Sequence, residues 1–231
     1  MASQITYRLE HGVATVSMDD GNVNALSPSM LADLNGALDR AGDDGAAVVL
    51  HGRPGVLSAG FDLTVLAGGG PAAVGMLRAG FELCYRMLAF PRPIVIACTG
   101  HAIAMGAFLL LSGDYRIGVV GDHKIVANEV AIGLTVPRAA VEICRQRLTP
   151  THFSRAVNLS EQFSPERAVD AGFLDELASA DQLPATVTST AARLAGLNPD
   201  AHVATKQRTR ASALAALRAA IDADNRDLET A

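Results

Sequence analysis

Residues 93–116 read PIVIACTGHAIAMGAFLLLSGDYR, and the order of types in this stretch decides the fold. Pro93 opens an apolar run, Ile94, Val95, Ile96 and Ala97, that ends at Cys98. A short unbroken run of β-formers is the pattern of a strand buried on both faces. A polar step, Gly100-His101, follows, and then the small residues Ala104, Gly106 and Ala107 around Met105. Small residues let a backbone come close to a ligand. From Phe108 to Leu111 the chain is wholly apolar and reads as helix, before a strand expected over 115–120. Strand, small-residue loop and helix in this order imply a buried sheet with helices packed outside. No carboxylate stands in the loop or the helix.

The same order recurs upstream. Residues 46–51, AAVVLH, read as a buried strand and lead through a glycine-containing loop to SAGFDL at 58–63. At the N-terminal end, Ile5, Tyr7 and Leu9 alternate with polar residues, and 13–18 repeats the pattern after His11-Gly12, which predicts a hairpin. Ser27-Pro28 is a helix start, with Met30, Leu31, Leu34 and Leu38 on one face. A linker, AGGGPAA at 67–73, precedes a helix expected over 72–88, stopped by Pro91 and Pro93. Short strand-like pieces stand near 124–127. From about Arg138 the composition is helical, with starts at Ser164-Pro165 and Asn198-Pro199 and an alanine-rich helix over 211–227. The division expected is an α/β core over 1–175 and a helical region over 176–231.

Bulk properties exclude several classes. A chain of 231 residues, 49% hydrophobic, holds one sizeable domain. A net charge of -5 argues against nucleic acid as a partner. The longest apolar run, 107–111, is far too short for a bilayer, so no membrane role is expected. The first twelve residues lack a basic start before an apolar core, and a cytoplasmic location is the expectation. Cys84, Cys98 and Cys144 are isolated and read as buried thiols, and no histidine spacing suggests a metal. GxSxG, HExxH, Walker and GxGxxG patterns are all absent.

Two places for chemistry remain: the loop at 58–63 and the loop at 100–108. Exposed backbone N–H groups at a helix start bind an anion or a developing oxyanion. Two such loops from neighbouring units would aim two donors at one oxygen, although either alone also serves as a tight strand-to-helix connection.

NVNAL (22–26), LSAGFDL (57–63), PIVIACTGHAIAMGAF (93–108), GDYRI (113–117) and NEVAIGL (128–134), in this order and spacing, resemble the crotonase superfamily of enoyl-CoA hydratases and isomerases over nearly the whole chain. The resemblance implies a spiral of repeated β-β-α units with a C-terminal all-helical trimerisation region. It implies an acyl-CoA thioester as substrate, with coenzyme A part of that substrate and no separate cofactor or metal. It also implies a homotrimer or a dimer of trimers. The thioester carbonyl is then held by two backbone N–H groups, expected at Ala59 and Met105. The backbone of Ser58, Gly60, Phe61 and Asp62, together with Leu63, would line the entrance, with His101, Gly106 and Phe108 along the second loop. Lys206 would meet the CoA phosphates, or lie on a solvated helix face.

Hydratases of this family use two glutamates. One position carries Phe108 here; the other is Glu129. An apolar Phe108 with a single Glu129 resembles the Δ3,Δ2-enoyl-CoA isomerase branch, in which one carboxylate moves a proton from C2 to C4. The alternatives are a hydratase or other crotonase reaction with a different acid, for which His101 and Asp62 are the nearest substitutes, and a non-catalytic acyl-CoA binder. Glu129 by itself would read as an ordinary surface glutamate.

Overall fold

The computed structural model describes residues 4–230, with side chains as far as Leu228. β1 (Ile5–Glu10) and β2 (Val13–Met18) form the expected antiparallel hairpin. His11 and Gly12 close it at φ 48° and 74°, the left-handed pair that a two-residue turn needs. β2 then pairs in parallel with β3 (Ala47–His51), and β3 with β5 (Ile94–Cys98). β5 pairs with β7 (Tyr115–Val119), and β7 with β9 (Glu176–Ala178), completing a six-stranded sheet. β4 (Gly55–Ser58), β6 (Gly100–Ile103) and β8 (Ile125–Val126) make a second, parallel sheet of three. Each repeat therefore gives one strand to each sheet, and the chain winds as the expected spiral.

Capping sets the helix starts. α1 (Pro28–Asp43) begins where the Ser27 hydroxyl accepts the Met30 N–H at 3.2 Å, and Met30, Leu31, Leu34 and Leu38 are buried. The residues expected as a linker are mostly helical instead. α2 (Leu63–Gly68) is followed at once by α3 (Gly70–Ala89), and Gly69 and Gly70 at φ 62° and 65° supply the bend between them. α4 (Met105–Leu111) is buried along its whole length. Then come α5 (Arg138–Arg145), α6 (Pro150–Leu159), α7 (Pro165–Ala171) and α8 (Leu183–Ala195). The two helices expected after Asn198 are one, α9 (Pro199–Thr230), capped by the Asn198 side chain on the Ala201 N–H at 2.9 Å.

The core has two parts. Val48, Leu50, Ile94 and Ile96 on one face of the large sheet pack on Leu34, Leu38, Leu83 and Met87 of α1 and α3. Val49, Val95, Ala97 and Ile117 on the other face pack on Leu183, Val187 and Ala191 of α8. This is why β3 and β5 are apolar at successive positions. Each fully buried aliphatic side chain here contributes about 1.5–3 kcal/mol.

The boundary expected at 175/176 is corrected: it falls at the start of β9, which completes the large sheet, and α8 covers that sheet. α9 lies over α3 and α5 of the same chain with Leu217 and Ile221 buried. Its Asp224 carboxylate accepts the N–H groups of Arg138 and Ala139 at 3.2 and 2.9 Å and so caps α5 from outside. Among the described residues no helix is long and apolar enough to cross a membrane.

Candidate active site

The two small-residue loops meet. The fully buried Ser58 hydroxyl donates to the Asn24 carbonyl at 2.7 Å and accepts the Gly60 N–H at 3.1 Å. Asn24, also buried, ties the Met18 and Leu57 carbonyls together through its amide. Asp62 caps α2 by accepting from Thr64 and Val65. The loop thus held lies directly on the start of α4. A Cβ at Gly106 would stand 2.3 Å from the Ser58 carbonyl oxygen, and one at Gly60 would stand 3.3 Å from the Met105 nitrogen. Such spacing admits only glycine at Gly106. On the other side, Ala104 holds φ 50° and ψ −122°, a conformation costing a non-glycine residue about 1–3 kcal/mol and concentrated at functional sites.

Backbone bonding separates the donors that are free from those that are not. Ala59 was expected to hold the thioester oxygen, and this is corrected: its N–H donates to the Val23 carbonyl at 3.0 Å. The next residues in the loop give a different donor. The Gly60 N–H is taken by Ser58 and the Gly60 carbonyl by Leu26, while the Phe61 N–H has no acceptor among the described residues. The Met105 N–H, at the first position of α4, has none either. Each of these donors follows a residue with positive φ, Gly60 at 96° and Ala104 at 50°. That turn of the chain swings the next N–H out of the local bonding pattern.

Glu129 opens a short 3₁₀ turn over Val130–Ile132, and its carbonyl accepts from Ile132 and Leu134. Gly133, at φ 82°, permits the tight return. The side chain is turned inward: the residue is only 8% exposed, and Oε2 is buried without a hydrogen-bond partner among the described residues. Burial therefore pushes the carboxyl above the ordinary glutamate range, opposed by a backbone hydrogen bond. The Cys144 thiol of α5 lies within its field and is itself pushed up, first by burial and then by the Glu129 charge. α5 packs in turn on α4.

Phe108 is fully buried on α4. Its ring lies 6.4 Å from that of Phe81, which stands edge-on to Phe61 at 6.2 Å. This aromatic row runs from the loops to a cavity of about 470 Å³ between α3, residues 135–138 and α9. Leu77, Phe81, Val136, Pro137 and Ile221 make its apolar walls, and Arg138 and Asp224 stand among its polar ones. Leu63, 75% exposed, begins α2 beside the loop.

Four further expectations are corrected. Ser58 is fully buried with its hydroxyl bonded to Asn24 and Gly60, so it braces the loop from within rather than lining an entrance. His101 accepts the Lys124 N–H through Nδ1 at 2.9 Å and meets His123 edge-on at 5.4 Å, so it props the 121–124 loop. It lies within β6, before the turn at Ala104 that leads into α4. Lys206 is buried and its ammonium bonds Asp114 at 2.7 Å, with Arg210 on the other carboxylate oxygen at 2.8 Å. Burial lowers Lys206 to about 8 against the pull of Asp114. Its charge is spent inside the chain, and neither a CoA contact nor a solvated face describes it. Asp62, used as a helix cap, is likewise no substitute acid.

The Phe61 N–H was not foreseen. No local pattern singles it out: Ala59, Gly60 and Phe61 each carry an N–H, and only the Val23 carbonyl and the Ser58 hydroxyl, which take the first two, separate them. Among the described residues, no group of three His, Cys, Asp or Glu side chains is placed to hold a metal.

Residues 8–231 match the family model for enoyl-CoA hydratase/isomerase. Among solved structures, the chain is similar to the apo enoyl-CoA isomerase of Mycobacterium tuberculosis, with 48% identity, a TM-score of 0.93, and coverage of 97% of this chain and 98% of that one. It is equally similar to an enoyl-CoA hydratase of Mycobacterium ulcerans, with 49% identity, a TM-score of 0.92, and coverage of 96% and 97%. The human mitochondrial enoyl-CoA delta isomerase 1 is 29% identical over 218 residues, 92% of this chain and 72% of the relative.

Proposed function

Given that this chain belongs to the enoyl-CoA hydratase/isomerase family, we propose that it is an enoyl-CoA isomerase that moves a 3-enoyl thioester double bond into conjugation at C2. The observation that carries this reading is the inward Glu129 carboxyl, its Oε2 buried and unpartnered, in a site where α4 bears no second carboxylate.

The Glu129 carboxylate takes a proton from C2. The electron pair of that C–H bond forms the enolate, and negative charge moves to the thioester oxygen. The N–H groups of Phe61 and Met105 meet that oxygen, and a preformed donor of this kind is worth about 3 kcal/mol in the transition state. Glu129 then returns the proton at C4, leaving the 2-enoyl product and the carboxylate as it began. Burial supports the role twice: it makes the carboxylate more basic, and with Phe108 it keeps water from the dienolate. The acyl chain occupies the cavity between α3 and α9, and coenzyme A leaves past Leu63.

Hydration is the second reading, favoured by the similarity to the hydratase of M. ulcerans. Adding water across the bond needs a second acid or base beside Glu129, and Phe108 supplies neither. Incubation with 3-enoyl-CoA and, separately, with 2-enoyl-CoA in water distinguishes the readings. Conjugation of the first without hydration of the second supports isomerisation. Hydration of the second overturns it. Binding of both thioesters with no turnover assigns the chain to the non-catalytic binders.

A further inference from the structure

α3 contains two interior glycines, Gly75 and Gly80. A glycine inside a helix is destabilising relative to alanine, so each asks for a reason. The two differ in their surroundings. A Cβ at Gly75 would meet nothing within 4 Å. A Cβ at Gly80 would lie 2.5 Å from both Cε1 and Cζ of Phe61, and 3.2 Å from Cε of Met105. The two residues whose N–H groups are unspent thus send their side chains to the same point on the helix.

We propose that Gly80 is a positioning residue for both donors: the missing side chain is the socket that seats the Phe61 ring and the end of Met105, locking the two loops against one rigid helix. Met105 needs this most. It is a long side chain at the head of a helix whose next residue, Gly106, is pressed on the Ser58 carbonyl. Its side chain is nonetheless buried, and the hollow at Gly80 supplies part of the room. Phe61 is seated from two sides, by Gly80 and by the edge-on ring of Phe81. Filling the socket displaces the Phe61 ring first, because its atoms are the nearer, and loosens the backbone from which its N–H points.

This inference rests on the reading of the Phe61 and Met105 N–H groups as partners of the thioester oxygen. Gly80→Ala is therefore read in two ways: by turnover of 3-enoyl-CoA, and by the infrared carbonyl stretch of bound octanoyl-CoA, which cannot isomerise. Gly75→Ala is the control, with the same gain in helix propensity and no collision. Gly80→Ala is expected to lower kcat at least tenfold with KM within threefold, and to return the bound carbonyl stretch towards its value in water. Gly75→Ala changes neither. Adding Phe61→Leu to Gly80→Ala, compared with Phe61→Leu alone, should remove most of the penalty, because the colliding ring is gone. Wild-type kcat and carbonyl stretch in Gly80→Ala overturn the proposal, as does a loss that Phe61→Leu leaves in place. A wild-type protein that polarises the carbonyl without turning over 3-enoyl-CoA overturns the isomerase reading alone, and the carbonyl stretch still decides Gly80. A wild-type protein that binds octanoyl-CoA with an unshifted carbonyl overturns both.

Discussion

Glu129→Gln should have opposite effects on activity and on stability. The substitution keeps the shape of the side chain and removes its charge and its capacity to take a proton. General-base catalysis is typically worth about 100- to 10,000-fold, so turnover of 3-enoyl-CoA should fall by that factor, or about 2.7–5.4 kcal/mol in barrier. Stability should move the other way. The folded protein raises the Glu129 pKa through burial, so the fold binds this proton more tightly than the unfolded chain does. The contribution of that tighter binding is fully present below the unfolded value of about 4.3 and is lost as pH rises through the raised folded value. Above it, an ionised carboxylate with an unpartnered Oε2 is held in a dry site at a cost that glutamine escapes. Thermal unfolding at pH 8 should therefore give a higher Tm for Glu129→Gln than for the wild type, with the gap closing in scans near pH 4. Appearance of the conjugated thioester, followed by absorbance, reads the activity. Full activity in the variant removes Glu129 from the chemistry. A stability difference that does not depend on pH refutes the claim that the buried charge is its source.

Other substitutions probe the frame around the site. Gly106→Ala forces a Cβ to within 2.3 Å of the Ser58 carbonyl oxygen; the loops must part, and urea unfolding should show a loss at or above the upper end of the usual 1–3 kcal/mol for overpacking, about 3 kcal/mol. Asp114→Ala leaves buried Lys206 and the adjacent Arg210 without their shared carboxylate and strips the acceptor from the Ile94 N–H. The expected loss is about 3–5 kcal/mol, and Lys206→Met, which removes a buried cation and leaves Asp114 with Arg210, should cost less in the same urea titration. Asp224→Ala removes the acceptor that α9 lends to the start of α5. It should cost about 1–2 kcal/mol, as a lost helix cap does, and raise KM for long-chain thioesters, because Asp224 also stands in the wall of the cavity.

What the sequence made legible was what repeats or alternates. The hairpin, the buried strands at 46–51 and 93–98, and the Ser27 and Ser164 helix starts all show as patterns several residues long. β9 did not, because three residues carry no period, and its place in the large sheet depends on β7, almost sixty residues earlier. The glycine run at 68–70 misled for a related reason: flexibility and a sharp bend between two helices use the same residues, and only the packing of α2 on α3 separates them. At the site, Glu129 and Met105 were expected from the family resemblance of the motifs that hold them, and the first donor was expected at Ala59 rather than two residues on, at Phe61. A side chain declares its chemistry in the sequence, whereas every residue except proline has an N–H, and its availability depends on what else accepts it. The Val23 carbonyl accepts the Ala59 N–H from thirty-six residues away, a pairing that no local pattern encodes. The same limit hid Gly80, whose meaning lies in two side chains that reach it from other segments. In the proposed reaction the proton carrier is a side chain whose type the sequence displays, while which backbone N–H groups stay free to hold the charge depends on the acceptors that the fold brings to their neighbours.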